Sequence, residues 1–428
     1  MEAKVLERKV SFLTPISIRR YLYLSSLLGI FSAILSISVG STIYLFYLVM
    51  LSNLLFIWAF IGPLVVPKWL CGFLLFLGAS GVIGICRGTD TVELAAKQIA
   101  AIGLSALYFA NFFNLEDDEI NRAWSTYCLL AYWFSILALA IWPIQCLIAH
   151  EIVRMQGIAS EPAKFCVLVL PAWYWYAHLW MKTGRHRRET ICIALALAAS
   201  TSSLGYLGIA LGLLLLFTSK ITIKTLIAPV VILGLMAGIY VVSDNFRLRV
   251  DDTVASLVNG DVSGANVSTY NLLSNGFVTW RVINSHPFLG NGLGSHVLSH
   301  KKYLRDVPGV ENMTDSQWNI DVNTHEAASL TLRSLSELGL VGFAGILWFI
   351  HHFRVGGSGY RAAISNAILL VFFAKLLRGG GYSDPEQFFF ILVYMLNFRQ
   401  FRRERSGAIP DSDTRRLGSL LPNVGNSF

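Results

Sequence analysis

Residues 194–212 read ALALAASTSSLGYLGIALG, and how they are divided decides the fold. They form either two short membrane spans, 190–202 and 204–218, or one interrupted helix, and losing a span would reverse the sidedness of everything that follows. Charge arbitrates. Lysines and arginines cluster at 1–21 (five), 182–188 (four), 220–224 (two), 354–361 (two) and 399–416 (six). With both short spans counted, these clusters all fall on one face of the membrane, the asymmetry expected of cytoplasmic segments.

Composition sets the class in which that choice arises. The chain is 54% hydrophobic and 14% charged, with a mean hydropathy of +0.57, and its long apolar runs recur almost from end to end. That pattern belongs to an all-α polytopic membrane protein, not to a soluble core. The expected spans are 22–40, 42–62, 69–86, 94–113, 123–148, 163–181, 190–202, 204–218, 223–243, 326–351, 361–378 and 386–398, about twelve in all. Residues 1–21 and the basic tail 399–428 are then cytoplasmic, spans one to nine occupy 22–243, spans ten to twelve occupy 326–398, and 244–325 is an external lid loop. Several spans fall short of the roughly 20 residues a straight crossing needs, so those helices are expected to be thinned, broken or buried in the bundle.

The net charge of +8 is accounted for by this topology and by contact with anionic headgroups of membrane lipids, and asks for no nucleic-acid partner. The six cysteines show neither CxxC nor metal-site spacing, so no disulfide framework, zinc site or other metal is expected. The aromatic run WYWYAHLW at 173–180 adjoins a basic loop and is assigned to the belt at the cytoplasmic interface.

Two stretches carry chemistry. In the lid, HPFLGNGLGS at 286–295 places Gly290, Gly292 and Gly294 where backbone amides can approach a phosphate, or where the loop simply needs small residues to pack. At 321–345, DVNTHEAASLTLRSLSELGLVGFAG feeds His325 and Glu326 into the start of a span that also carries Arg333. An imidazole able to take a proton near neutral pH thus meets a cation able to hold phosphate where water meets lipid.

The two motifs, in this order after many spans and on the external face, resemble the superfamily of O-antigen ligases and O-antigen polymerases. The resemblance covers about 60 residues, 280–342. It implies a metal-independent inverting glycosyltransferase without cofactor, which takes a glycan from undecaprenyl diphosphate at the outer face of the bacterial inner membrane and passes it to an acceptor glycan. His325 matches the family histidine, whereas Glu326 stands where Asn is usual. Ser203-Leu204-Gly205 replaces a Ser-Arg-Gly element, and STYNLLSNG at 268–276 lacks a second family arginine.

Other cations are therefore nominated on physical grounds. Departure of a lipid diphosphate develops negative charge, which preorganised cations stabilise. Arg281 precedes the glycine motif, Arg333 is expected two turns below His325 on nearly the same helix face, and Lys375 and Arg378 are i,i+3 neighbours at the outer end of the next span. An ion pair from Arg333 to Glu337 is the competing structural role. His325 is read as the general base, with Arg281, Arg333, Lys375, Arg378, Gly292, Gly294 and Glu326 in substrate binding. The activity expected is polymerisation of lipid-linked oligosaccharide repeats into O-antigen or exopolysaccharide, with a chain-length regulator as a further partner. Transfer of finished glycan to lipid A core is the alternative within the family. A polysaccharide or lipid transporter without catalysis is the alternative outside it, although no internal repeat of the transporter kind is evident.

Overall fold

The structure, a computed structural model, describes residues 15–32, 36–39, 41–114, 119–151, 153–159, 161–217, 234, 238, 240–241, 244–260, 262, 264–312, 324, 326–382, 384 and 386–406. His325, most of the span expected at 223–243, and the tail beyond 406 lie outside them. The described residues form helices α1 (Pro15–Ser32), α2 (Leu45–Phe60), α3 (Lys68–Cys86), α4 (Val92–Phe112), α5 (Glu119–Ala149), α6 (Pro162–Thr183), α7 (Arg187–Ala199) and α8 (Ser203–Phe217). Residues 244–312 add α9 (Asp244–Asn259), α10 (Val267–Ser285) and α11 (His296–Tyr303), and the bundle closes with α12 (Leu330–His352), α13 (Tyr360–Leu377) and α14 (Gln387–Arg405). Among the described residues α3, α4, α5, α12 and α13 are long and apolar enough to cross a membrane. The chain is a helical membrane protein.

Among the described residues one short hairpin interrupts the helices, β1 (Ser36–Val39) paired antiparallel with β2 (Ser41–Tyr44). A span had been expected to continue through residue 40. SISVGSTIY instead alternates β-branched residues with serine around a glycine, a period of two that suits strands better than a helix.

At 194–212 the chain makes two helices, α7 and α8, reversed at Ser200–Ser202. Gly205, Gly208 and Gly212 of α8 lie against Cys166, Leu170 and Trp173 of α6 in that order. Thus α8 runs parallel to α6 and antiparallel to α7, and the missing side chains let the two backbones approach closely. At 13 and 15 residues these helices are only about 20 and 22 Å long. Their turn meets the segment 153–156, where Met155 donates its backbone N–H to Ala199 O at 3.2 Å.

Helix α6 sits at the centre of the bundle, and Phe165 to Ala177 are buried without a break. Trp173, Tyr174, Trp175 and Tyr176 are therefore core residues, not the interfacial belt expected from sequence. Trp175 packs edge-on against Trp124 of α5 and Tyr360 of α13, and only Trp180, beyond them, is exposed among these tryptophans and tyrosines.

Helix α12 is two helices joined at Gly339, whose φ of 65° and ψ of −163° are not helical. The glycine motif fills the break. Leu340 and Val341 donate to the carbonyls of Pro287 and Phe288 at 2.8 and 3.1 Å, while Asn291 and Gly292 donate to Ser336 and Glu337 at 2.9 and 3.0 Å. A discontinuous spanning helix is tolerable because protein backbone satisfies the freed groups. The break also divides labour. The first arm, Leu330–Leu338, buries Arg333, Ser334, Ser336 and Glu337, whereas the second exposes Leu340, Val341, Leu347 and Trp348 as a lipid-facing surface would.

The two ends of the bundle differ in chemistry. One end brings together Tyr44, the 87–91 loop, Lys164, the glycine motif, the 326–329 turn and the 378–386 loop. At the other end Arg361 binds Asn121 Oδ1 at 2.6 Å and Glu404 Oε1 at 2.8 Å.

Candidate functional site

The site is built where the turn before α12 meets the loop after α13. Ala327 and Ala328 have φ of 50° and 58°, a conformation that costs a side-chain-bearing residue energy and persists only where its surroundings impose it. Here the surroundings are the glycines at 379–381. Gly379 donates its N–H to Ala328 O at 2.9 Å, and Gly380 lies so close to the Glu326 and Ser329 carbonyls that a Cβ there would collide with them. Because the turn is not helical, the helix expected from 326 begins only at Leu330, and the stacking expected of His325 over Arg333 lies outside the described residues. Ser329 caps the helix instead, its hydroxyl accepting from Leu332 N–H.

Glu326 faces a buried cluster. Lys375 Nζ pairs with Asp384 Oδ2 and lies 3.4 Å from Glu386 Oε1, and Glu326 adds a third carboxylate that also feels Lys164 and Arg333. Burial, and then the Asp384 carboxylate, push Glu326 above the usual carboxylate range. Burial also lifts Glu386, with Lys375 pulling it down and Asp384 pushing it up. Three carboxyl groups around one buried ammonium leave an excess of negative charge, which favours keeping a proton on Glu326 or Glu386.

Arg333 stands behind this cluster, 2% exposed. Its Nε donates to Glu337 Oε1 at 3.1 Å, its NH1 to Gly380 O at 3.1 Å, and its guanidinium lies 4.4 Å from the centre of the Tyr382 ring. It thus staples the first arm of α12 to the 379–382 loop. Both nominated cations in this region, Arg333 and Lys375, are committed to carboxylates of the protein itself.

The remaining nominees are dispersed. Arg378 leaves the helix with extended backbone, φ −155° and ψ 132°, so it diverges from Lys375 and reaches Ser268 at the start of α10. Arg281 is exposed beside Asp306 at 3.7 Å and covers the Phe277 and Trp280 rings. Gly292 and Gly294 pack on Gly84, Asp90 and Leu94. The Gly292 amide is spent on α12, and the amides of Gly294 and His296 face the Glu337 carboxylate. The anion this loop cradles is the protein's own.

His296 joins the same wall, donating from Nε2 to Asn275 Oδ1 at 2.7 Å and accepting at Nδ1 from the Ser336 hydroxyl at 2.9 Å. Burial, followed by His300 and Arg333, holds it well below the usual imidazole range, so it is a neutral strut. Beside Gly292, burial lifts Asp90 to about 6, and its Oδ2 has no hydrogen-bond partner.

No protein-family model matches the chain, and no curated protein matches it. The site therefore rests on its own geometry.

Sequence reasoning missed Asp384, Glu386, Lys164 and Tyr382. The first two had a signal in YSDPEQ at 382–387, where two acids in six residues follow a span that carries Lys375 in its last turn. Lys164 had none, since only the fold brings the start of α6 to the 326–329 turn. Among the described residues no group of three His, Cys, Asp or Glu is arranged to hold a metal.

Proposed function

We propose that this protein polymerises oligosaccharide repeats carried on undecaprenyl diphosphate, at the outer face of the bacterial inner membrane. The observation that carries the reading is the Glu326–Lys375–Asp384–Glu386 cluster, set immediately after His325 at the end of the bundle remote from Arg361 and Glu404. The membrane arrangement proposed with it has twelve spans, both termini cytoplasmic, and 244–325 external.

In the reaction, an acceptor sugar hydroxyl attacks the anomeric carbon of the donor glycan, the new glycosidic bond forms as the bond to the lipid diphosphate breaks, and the configuration inverts. The hydroxyl proton passes to His325, for which an imidazole titrating near pH 6.5 is suited. The leaving diphosphate carries the bonding electron pair away, and Lys164, which forms no ion pair among the described residues and lies near Glu326, is the cation at this end left to stabilise it. Glu326 and its neighbours buffer the proton. Ligation to lipid A core would use the same steps with a different acceptor.

A second reading, transport without chemistry, is favoured by one observation: the break of α12 at Gly339, since transporters build sites from interrupted helices. The test is product formation by purified protein in liposomes supplied with lipid-linked repeats. Polymer is expected from the wild type and not from His325→Gln, which keeps a hydrogen bond but takes no proton; the loss should reach about 10²–10⁴-fold. Near-normal product from the Gln variant would remove proton abstraction by His325, and no product from either protein would leave transport as the better account.

A further inference from the structure

At the basic end of the bundle a surface groove of about 540 Å³ runs between α5 and α7. Arg187 and Arg188, in the first turn of α7, form its polar mouth, and Leu139 of α5 with Ile191 and Leu195 of α7 form its apolar walls. From Arg187 to Leu195 the groove follows the helix for about 12 Å. Ile191 and Leu195 are 40% and 58% exposed, an apolar face that in a spanning bundle looks into lipid.

The charge at the mouth is only partly answered from within, since Glu189 lies within electrostatic reach of Arg188. Glu189, the acid of that turn, is bonded to His186 Nδ1 at 3.1 Å, and among the described residues neither Arg187 nor Arg188 forms an ion pair. Arg187 instead rests 5.9 Å from the Trp180 ring centre. Lys182, in the last turn of α6, and Arg185, between α6 and α7, add positive charge nearby. A soluble phosphoester could answer the arginines but would leave the apolar walls unused, while a zwitterionic lipid could answer the walls but would bring its own cation to the arginines. A lipid with net negative charge satisfies both.

We propose that this groove binds one anionic phospholipid, its phosphate on Arg187 and Arg188 and an acyl chain along Ile191 and Leu195 against Leu139. The site is independent of the glycan chemistry at the other end of the molecule and would stand if that reading failed.

The test is native mass spectrometry of the full-length protein in detergent, titrated with phosphatidylglycerol or with phosphatidylcholine of the same acyl chains. One phosphatidylglycerol is expected to bind ahead of the rest. Replacing both arginines (Arg187→Gln with Arg188→Gln) should weaken it by about 10–30-fold, two surface cations being removed. Leu195→Trp, which fills the groove and keeps both charges, should weaken it too, whereas Arg402→Ala with Arg403→Ala should not. Melting profiles establish that each variant is folded, and should the arginine variant unfold, Leu195→Trp decides. Equal binding of the two lipids, unchanged affinity in folded arginine or tryptophan variants, or displacement by inorganic phosphate would each overturn the proposal.

Discussion

Arg333 and Glu337 show what a charge pair does once the bundle closes over it. Both are buried and bonded to each other, so Arg333→Ala strands a carboxylate and is expected to cost about 3–5 kcal/mol, seen as loss of the folded monomer on size exclusion. Arg333→Met with Glu337→Leu should recover much of that, because an apolar pair of similar size removes both desolvation costs. If the double variant is as unfolded as the single, the pair is not the reason Arg333 matters. Asp90 makes a pH-dependent prediction. Its folded pKa, near 6, lies above the ordinary value of 3.8, so the folded chain binds this proton more tightly, and stability falls as pH rises from the ordinary range through about 6. Asp90→Asn should stabilise the protein by about 1 kcal/mol at pH 8, where it removes a buried negative charge, and by little at pH 5; an equal gain at both would refute the assignment. Glu326, Arg333 and Lys375 were legible in the sequence because ionisable residues stand out against apolar runs. Their partners were not, since Asp384 and Glu386 reach Lys375 through a loop and Lys164 arrives from another helix.

Among the elements, α12 matters most to the site because its break at Gly339 positions the arm that carries Arg333. A Cβ at 339 would collide with the Phe288 carbonyl group and would hold a left-handed φ, so Gly339→Ala is expected to cost about 1–3 kcal/mol and expose the 286–292 loop to protease. Unchanged melting and cleavage would mean that the glycine motif does not depend on this junction. The sequence showed a span here, and its apolar pattern runs through residue 339 without pause. What it could not show was that Pro287 and Phe288, about fifty residues earlier, supply the hydrogen-bond acceptors that make a break affordable. The hairpin at 36–44 went unread for a different reason, as two short strands lay between long apolar runs and were absorbed into them. The α7–α8 reversal was legible from charge, and the glycines of α8 explain how helices so short stay packed.

Across the whole molecule the ends divide cleanly between a mixed acid and base cluster around Lys375 and a face rich in arginine around Arg361 and Arg187. The sequence leads to the expectation of such a polarity, because basic residues repeat at intervals set by the spans. The proposed function requires the donor lipid diphosphate to bind at the first end. It is tested most directly by photocrosslinking the purified protein with a photoreactive undecaprenyl diphosphate sugar and mapping the labelled peptides. The account predicts label in peptides spanning 324–333 and 378–387, competed by unlabelled undecaprenyl diphosphate, while label confined to 182–195 and 354–363 would contradict it.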